Sequence, residues 1–191
     1  MSEIKVDKIS PQSGVALEVG DSGDTITCSG TPVGFGGGKI LQVLQTVKND
    51  TFSAAADVPT FVTGLSVTIT PSATSSKILV TACVSATNHY GENNVSFTLQ
   101  RDSTQLTCKG DTAGSRQRAT WQGNVTANAI NNISSYTFLD SPSSTSALVY
   151  KVMGNTEYTA NSFYVNRSKN DTDNANHIRT SSSITVMEIG A

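Results

Sequence analysis

The sequence predicts an all-β protein, an antiparallel β-sandwich of the jelly-roll kind with a short N-terminal β segment. Apolar and polar residues alternate in short runs along most of the chain, which is the period of strands that bury one face. Clusters of Gly, Pro, Ser, Asn and Asp separate these runs and supply turn chemistry. Threonine is frequent, and its branched Cβ fits a pleated surface better than a helix.

The composition excludes several classes of function. Of the 191 residues, 37% are hydrophobic and 15% are charged, and the net charge is −2 with Lys and Arg scattered. No basic stripe is present to contact phosphates, so we predict no nucleic-acid binding. The N-terminus has no apolar run of the secretory kind, and no stretch has the length of a membrane span. We therefore expect synthesis in a cytoplasm and no membrane insertion.

Residues 1–30 predict a separate N-terminal segment. Its apolar residues form alternating sets that are too short to bury a face alone. These strands either lie on the main domain or pair with their own copies from other subunits. The residues concerned are Ile4, Val6, Ile9, Val15, Leu17 and Val19.

Residues 31–38, TPVGFGGG, predict a linker because of their glycine content. The alternative is a tight crossing of two backbones, which glycine also permits. The sandwich is therefore expected to occupy residues 39–191.

The first strand of the sandwich, KILQVLQTV, is apolar on both faces. Leu41, Val43 and Val47 alternate with Ile40 and Leu44. A strand of this kind needs cover on its second face as well. We predict that Ile40 and Leu44 lie in a subunit interface, since another copy of the chain would cover the second face.

Two acidic stretches could suggest a calcium site. GDSGDTIT, residues 20–27, provides Asp21 and Asp24, but calcium takes about six to eight oxygen ligands, so a turn is the better interpretation. Asp171 and Asp173 resemble the start of an EF-hand loop, yet Asn176 occupies the position of the required glycine. We predict a solvated hairpin tip there, and neither a metal site nor a cofactor.

The sequence contains no specific catalytic motif. The only histidines, His89 and His177, lie in Asn-rich stretches that predict loops. Serine is so common that a Ser-His-Asp combination carries no specificity, and a GxSxG elbow is missing. We predict no catalytic residues and no enzyme activity. A depolymerase ranks below the two functions described at the end of this section.

The predicted loop NHYGENN carries the best candidates for contact with a receptor. Tyr90 is accompanied by His89, Glu92 and Asn93. A sugar ring offers an apolar face and a rim of hydroxyl groups, which an aromatic ring with amides and carboxylates can bind. Trp121 is a weaker candidate, because a lone tryptophan is more often part of the core.

Several phrases of the sequence resemble structural proteins of tailed bacteriophages, most of all the fibre and tail-associated proteins of marine phages. They include MSEIKVDKIS, TGLSVTITPSATSSKILV and LDSPSSTSALVYKV, and the resemblance covers nearly the whole chain. It implies a homotrimeric virion protein in which the apolar residues of segment 1–30 attach to other virion proteins and a sandwich knob projects outward. It carries no active site.

Two functions follow as expectations. The first is a non-enzymatic tail fibre or tail-tip knob that adsorbs to the host cell surface, with a polysaccharide as the receptor. The alternative is a capsid decoration or connector protein that binds other virion proteins. Both place the protein in the virion, in the tail for the first function.

Overall fold

The computed structural model describes residues 39–55, 57–88, 95–123, 132–156 and 161–190. Within these residues every regular element is a strand and all paired strands are antiparallel, which confirms the all-β class. No helix in this part of the chain could span a membrane. The strands are β1 Ile40–Lys48, β2 Phe52–Ala55, β3 Thr60–Ile69, β4 Lys77–Asn88, β5 Val95–Arg101, β6 Thr104–Gln105, β7 Trp121–Gly123, β8 Asn132–Asp140, β9 Leu148–Thr156, β10 Ser162–Val165 and β11 Ser182–Ile189.

The strands form two sheets. In the first sheet β4 is central, with β8 on one side and with β11 and β10 one after the other on its opposite side. Strand β1 pairs with β11, and β2 pairs with β10. In the second sheet β9 lies between β3 and β5, and the other edge of β5 pairs with β6 and β7. The predicted segments 1–30 and 31–38 lie outside the described residues.

The two sheets enclose one apolar core, which gives a β-sandwich-like architecture. The alternating residues of the longest strands are buried, as their period of two predicts. On three of the strands these residues are Leu65, Val67 and Ile69, then Ile78, Val80, Ala82, Val84 and Ala86, then Val95, Phe97 and Leu99.

Aromatic rings fill one part of the core. Phe97 meets Phe163 edge to face, with ring centroids 6.4 Å apart. A Cβ at Gly154 would lie 2.8 Å from the Phe163 ring, which is far inside van der Waals contact. Only glycine therefore lets this ring approach β9 so closely.

Candidate functional site

The strand registers define two opposite ends of the sandwich. At the proximal end, where residues 1–38 join the sheet, Ile40 and Lys77 both pair with Ile189. At the distal end β4 finishes at Asn88. Strand β4 extends from the proximal end to the distal end and has 12 residues. At the rise per residue of a β-strand, the two ends are roughly 35 Å apart.

Three chain segments outside the described residues are anchored at the distal end. Val95, the residue that follows the first segment, pairs with Gly123 on one side and with Thr156 on the other. Gly123 precedes the second segment and Thr156 precedes the third. The segments are 89–94, 124–131 and 157–160.

The predicted receptor contacts of the NHYGENN loop belong to the first of these segments. His89, Tyr90, Glu92 and Asn93 lie outside the described residues. Their segment leaves from the distal end and returns to it, whereas the N-terminal segment joins the sandwich at the proximal end. The residues predicted for virion attachment also lie outside the described part: Ile4, Val6, Ile9, Val15, Leu17 and Val19.

Trp121 lies on β7 and is partly buried against the core. Its indole stacks on Phe97 with centroids 5.3 Å apart, and on Tyr136 of the other sheet at 6.0 Å. Its Nε1 donates a hydrogen bond to Ser134 Oγ at 3.2 Å. These contacts join the two sheets. Phe97 and Tyr136 already stack on the indole ring, which a sugar would need as its own stacking surface.

Ile40 and Leu44 do not share a face of β1 as the sequence predicts. A register shift follows Ile40, which pairs with Ile189, whereas Leu44 pairs with the buried Val186. Ile40 therefore belongs to the outer side of the sheet and Leu44 to the inner side. Both are exposed, at 56% and 38%, because β1 is an edge strand. Their role in a trimer interface stays a prediction.

Asp171 and Asp173 lie in an excursion from the first sheet, so the predicted hairpin tip is wrong. Strands β10 and β11 follow each other along β4, and residues 166–181 between them, here called the β10–β11 excursion, leave the sheet and return. Asn166 anchors the excursion: its Nδ2 donates to the carbonyl oxygens of Lys48 and Asp50 at 2.8 and 2.9 Å.

The excursion carries an open cleft of about 270 Å³. Asp171 accepts hydrogen bonds from the guanidinium groups of Arg167 at 2.8 Å and Arg179 at 2.6 Å. The Arg167 guanidinium in turn lies 4.4 Å from the centre of the Tyr164 ring. The residues that line the cleft are Asp171, Thr172, Asp173, Asn174, His177 and Arg179.

The cleft combines two carboxylates, one amide, one hydroxyl group, one imidazole and one guanidinium group within a small volume. Such a surface can hydrogen-bond a ligand rich in hydroxyl groups. Among the described residues no group of three or more His, Cys, Asp or Glu side chains could hold a metal ion. The sequence alone indicates Asp171 and Asp173 through their likeness to an EF-hand loop. The ion pairs of Asp171 with Arg167 and Arg179 are visible only in the structure.

The chain matches no protein-family model and no curated protein sequence.

Proposed function

We propose that this chain is a non-enzymatic structural protein of a tailed-phage virion, the knob of a tail fibre or tail tip that adsorbs to the host surface. The observation that carries the proposal is the polarity of the sandwich. The segment with phage-like attachment phrases joins one end, and the loop with the candidate receptor contacts leaves the other. A protein held by its proximal end would present its distal loops to a cell.

We propose further that the sandwich is a jelly roll. Without the short strands β2, β6 and β10, eight strands remain, which we number 1 to 8 along the chain. The first sheet then has the order 1-8-3-6 and the second has the order 2-7-4-5. This pairing of strands that are distant in sequence is typical of two interlocked Greek keys, an architecture of viral capsid and lectin domains.

The receptor in this proposal is a surface polysaccharide of the host. Repeated sugar units suit a homotrimer, because three weak sites on one rigid body gain affinity through avidity. Tyr90 and its neighbours supply the main contacts, and the cleft of the β10–β11 excursion offers a second polar surface nearer to the distal end than to the proximal end.

The substitution Tyr90→Ala tests the proposal. We expect cell adsorption of the purified full-length protein to fall at least fivefold while its melting temperature stays within 1–2 °C of wild type, because a surface side chain contributes little to stability. Ser103→Ala, in the β5–β6 turn at the proximal end, is the matched control and should change neither. Equal loss of adsorption and of thermal stability would make Tyr90 a core residue and contradict its proposed role.

The location of the protein in the particle distinguishes a tail protein from a capsid protein. An antibody to this chain should label the tail tip of particles in electron microscopy. Label on the head would contradict the tail proposal and favour a decoration or connector protein. Release of reducing sugar from host polysaccharide by the purified protein would contradict the non-enzymatic role.

A further inference from the structure

One side of the first sheet faces away from the core. Strands β1, β11, β4 and β8 pair in register, and every second residue points away from the core. Twelve of these residues, here called the outer face, form three rows across the four strands. The rows are Val43, Met187, Leu79 and Leu139; Gln45, Thr185, Thr81 and Thr137; and Val47, Ser183, Cys83 and Ser135.

The first of the three rows is entirely apolar, and between it and the proximal end Ile189 pairs with Ile40 and with Lys77. Its two edge residues are well exposed, Val43 at 52% and Leu139 at 44%. Ile40 and Leu41, at 56% and 46%, extend the apolar surface towards the start of β1. Contiguous exposed apolar surface of this kind is typical of a site that binds another molecule.

The middle row of the outer face is polar, but its side chains hydrogen-bond one another. None of the twelve residues carries a charge. In the middle row Gln45 Nε2 donates to Thr185 Oγ1 at 2.8 Å, and the hydroxyl oxygens of Thr81 and Thr137 lie 3.1 Å apart. These polar groups already have partners, so burial would not leave them unsatisfied.

We propose that the outer face is the surface on which copies of this chain associate into a trimer, which rests on the homotrimer of the proposed function. An anionic polymer or a charged membrane surface would require a group of cations, whereas the twelve residues carry none and the single Lys77, which pairs with Ile189, lies at the border of the face. The same face on another copy of the chain also carries no charge. Contact between the two faces would therefore bury no unpaired charge. A second copy of the chain is therefore a partner whose chemistry fits.

The geometry suits a closed ring of three. Val43 lies on one edge strand of the face and Leu139 on the other, so the β1 side of one copy can contact the β8 side of the next. Strand spacing and rise give the face a flat area of roughly 400 Å², about half of the ~800 Å² that each partner buries in a standard interface.

Charge substitutions on the two edges of the face test the proposal in the full-length protein. Light scattering after size exclusion at micromolar concentration should give a trimer for wild type. Val43→Asp and Leu139→Asp should each raise the dissociation constant of the trimer at least tenfold, because each buries an unpaired carboxylate. Val58→Asp is the matched control: Val58 is 62% exposed but lies between β2 and β3, and this variant should stay trimeric.

The alkylation rate of Cys83, in the third row, measures directly how accessible the outer face is. Alkylation of Cys83 by iodoacetamide, measured relative to Cys108 in the same sample, should be slow in the trimer and at least tenfold faster in Val43→Asp. Circular dichroism shows whether each variant is folded, and the Leu139→Asp variant keeps the test valid if Val43→Asp fails to fold.

The outcomes separate this proposal from the proposed function. A wild-type trimer that both Asp variants leave intact would overturn the outer face as interface and leave the trimer standing. A wild-type dimer or monomer would contradict the trimer and this inference together, and Cys83 protection in a monomer would assign the face to the chain's own N-terminal segment. Adsorption through Tyr90 is measured independently of all three results.

Discussion

Glu188 is a fully buried carboxylate of β11. One oxygen accepts hydrogen bonds from Ser72 N at 2.7 Å and Ser72 Oγ at 2.6 Å, and the other accepts one from Gln42 Nε2 at 2.6 Å. Burial, the largest single influence, raises the pKa of Glu188, but the hydrogen bonds from Ser72 and Gln42 oppose it and the pKa falls to about 2. The ionised side chain therefore stabilises the native state, where it ties the β3–β4 connection to β1 and β11.

We predict that Glu188 makes the protein sensitive to acid. Because its pKa is lower in the folded chain than the ordinary 4.5, its contribution is fully present above pH 4.5 and is lost as the pH falls towards 2. The contribution is about 3 kcal/mol for a shift of this size.

Urea unfolding at pH 7, 4.5 and 3 measures this dependence. Glu188→Gln should lower the free energy of unfolding by about 2–3 kcal/mol at pH 7 and remove most of the decline between pH 4.5 and 3. Asp173→Asn, at an exposed carboxylate, is the control and should keep the wild-type profile. Identical slopes for wild type and Glu188→Gln would show that other groups cause the acid sensitivity.

At the scale of elements, the β10–β11 excursion depends on one residue. Asn166 is fully buried and has a φ of 61°, a left-handed conformation that asparagine tolerates better than most residues. Its amide bonds the turn between β1 and β2, and its Oδ1 accepts from Ser182 Oγ at 2.6 Å. It therefore joins the end of β10, the turn after β1 and the start of β11.

We predict that Asn166→Ala destabilises the protein by about 2–4 kcal/mol, since it removes three hydrogen bonds, two of them buried, and adds backbone strain. Asn166→Gly removes the same hydrogen bonds but accepts the positive φ, so it should be less destabilising by about 1 kcal/mol. Thermal and urea unfolding measure both effects. A loss below about 0.5 kcal/mol for Asn166→Ala would mean that the excursion does not depend on this anchor.

At the scale of the whole molecule, the sandwich contains its own core. The residues of the core cluster lie between Phe52 and Val186, and Gly36–Ala191 forms one compact unit. We therefore expect this unit to fold without residues 1–30.

We predict that deletion of residues 1–30 leaves a folded sandwich that no longer joins the virion. Circular dichroism and thermal melting should resemble those of the full-length protein, and the truncated chain should be missing from purified particles. Chelators should leave the melting temperature of the full-length protein unchanged, as expected if Asp21 and Asp24 form a turn. Incorporation of the truncated chain would contradict the attachment role.

The strands were predictable where they are long and one-sided. In β4, alternate residues from Ile78 to Ala86 are buried, and the same alternation is visible in the sequence. The strands β2, β6 and β7 have only two to four residues, too few for a period to emerge. The register shift after Ile40 was also not predictable, because a β-bulge inserts one residue without a clear sequence signal.

The all-β class and the inner faces of the long strands follow from the sequence alone, because each depends on residues that are neighbours in the chain. Tertiary structure alone decided which strands pair, and through that pairing the opposite ends of the sandwich, the uncharged outer face and the two arginines that hold Asp171. These features join residues that are far apart in sequence, and only the closing of two sheets around a common core brings them together.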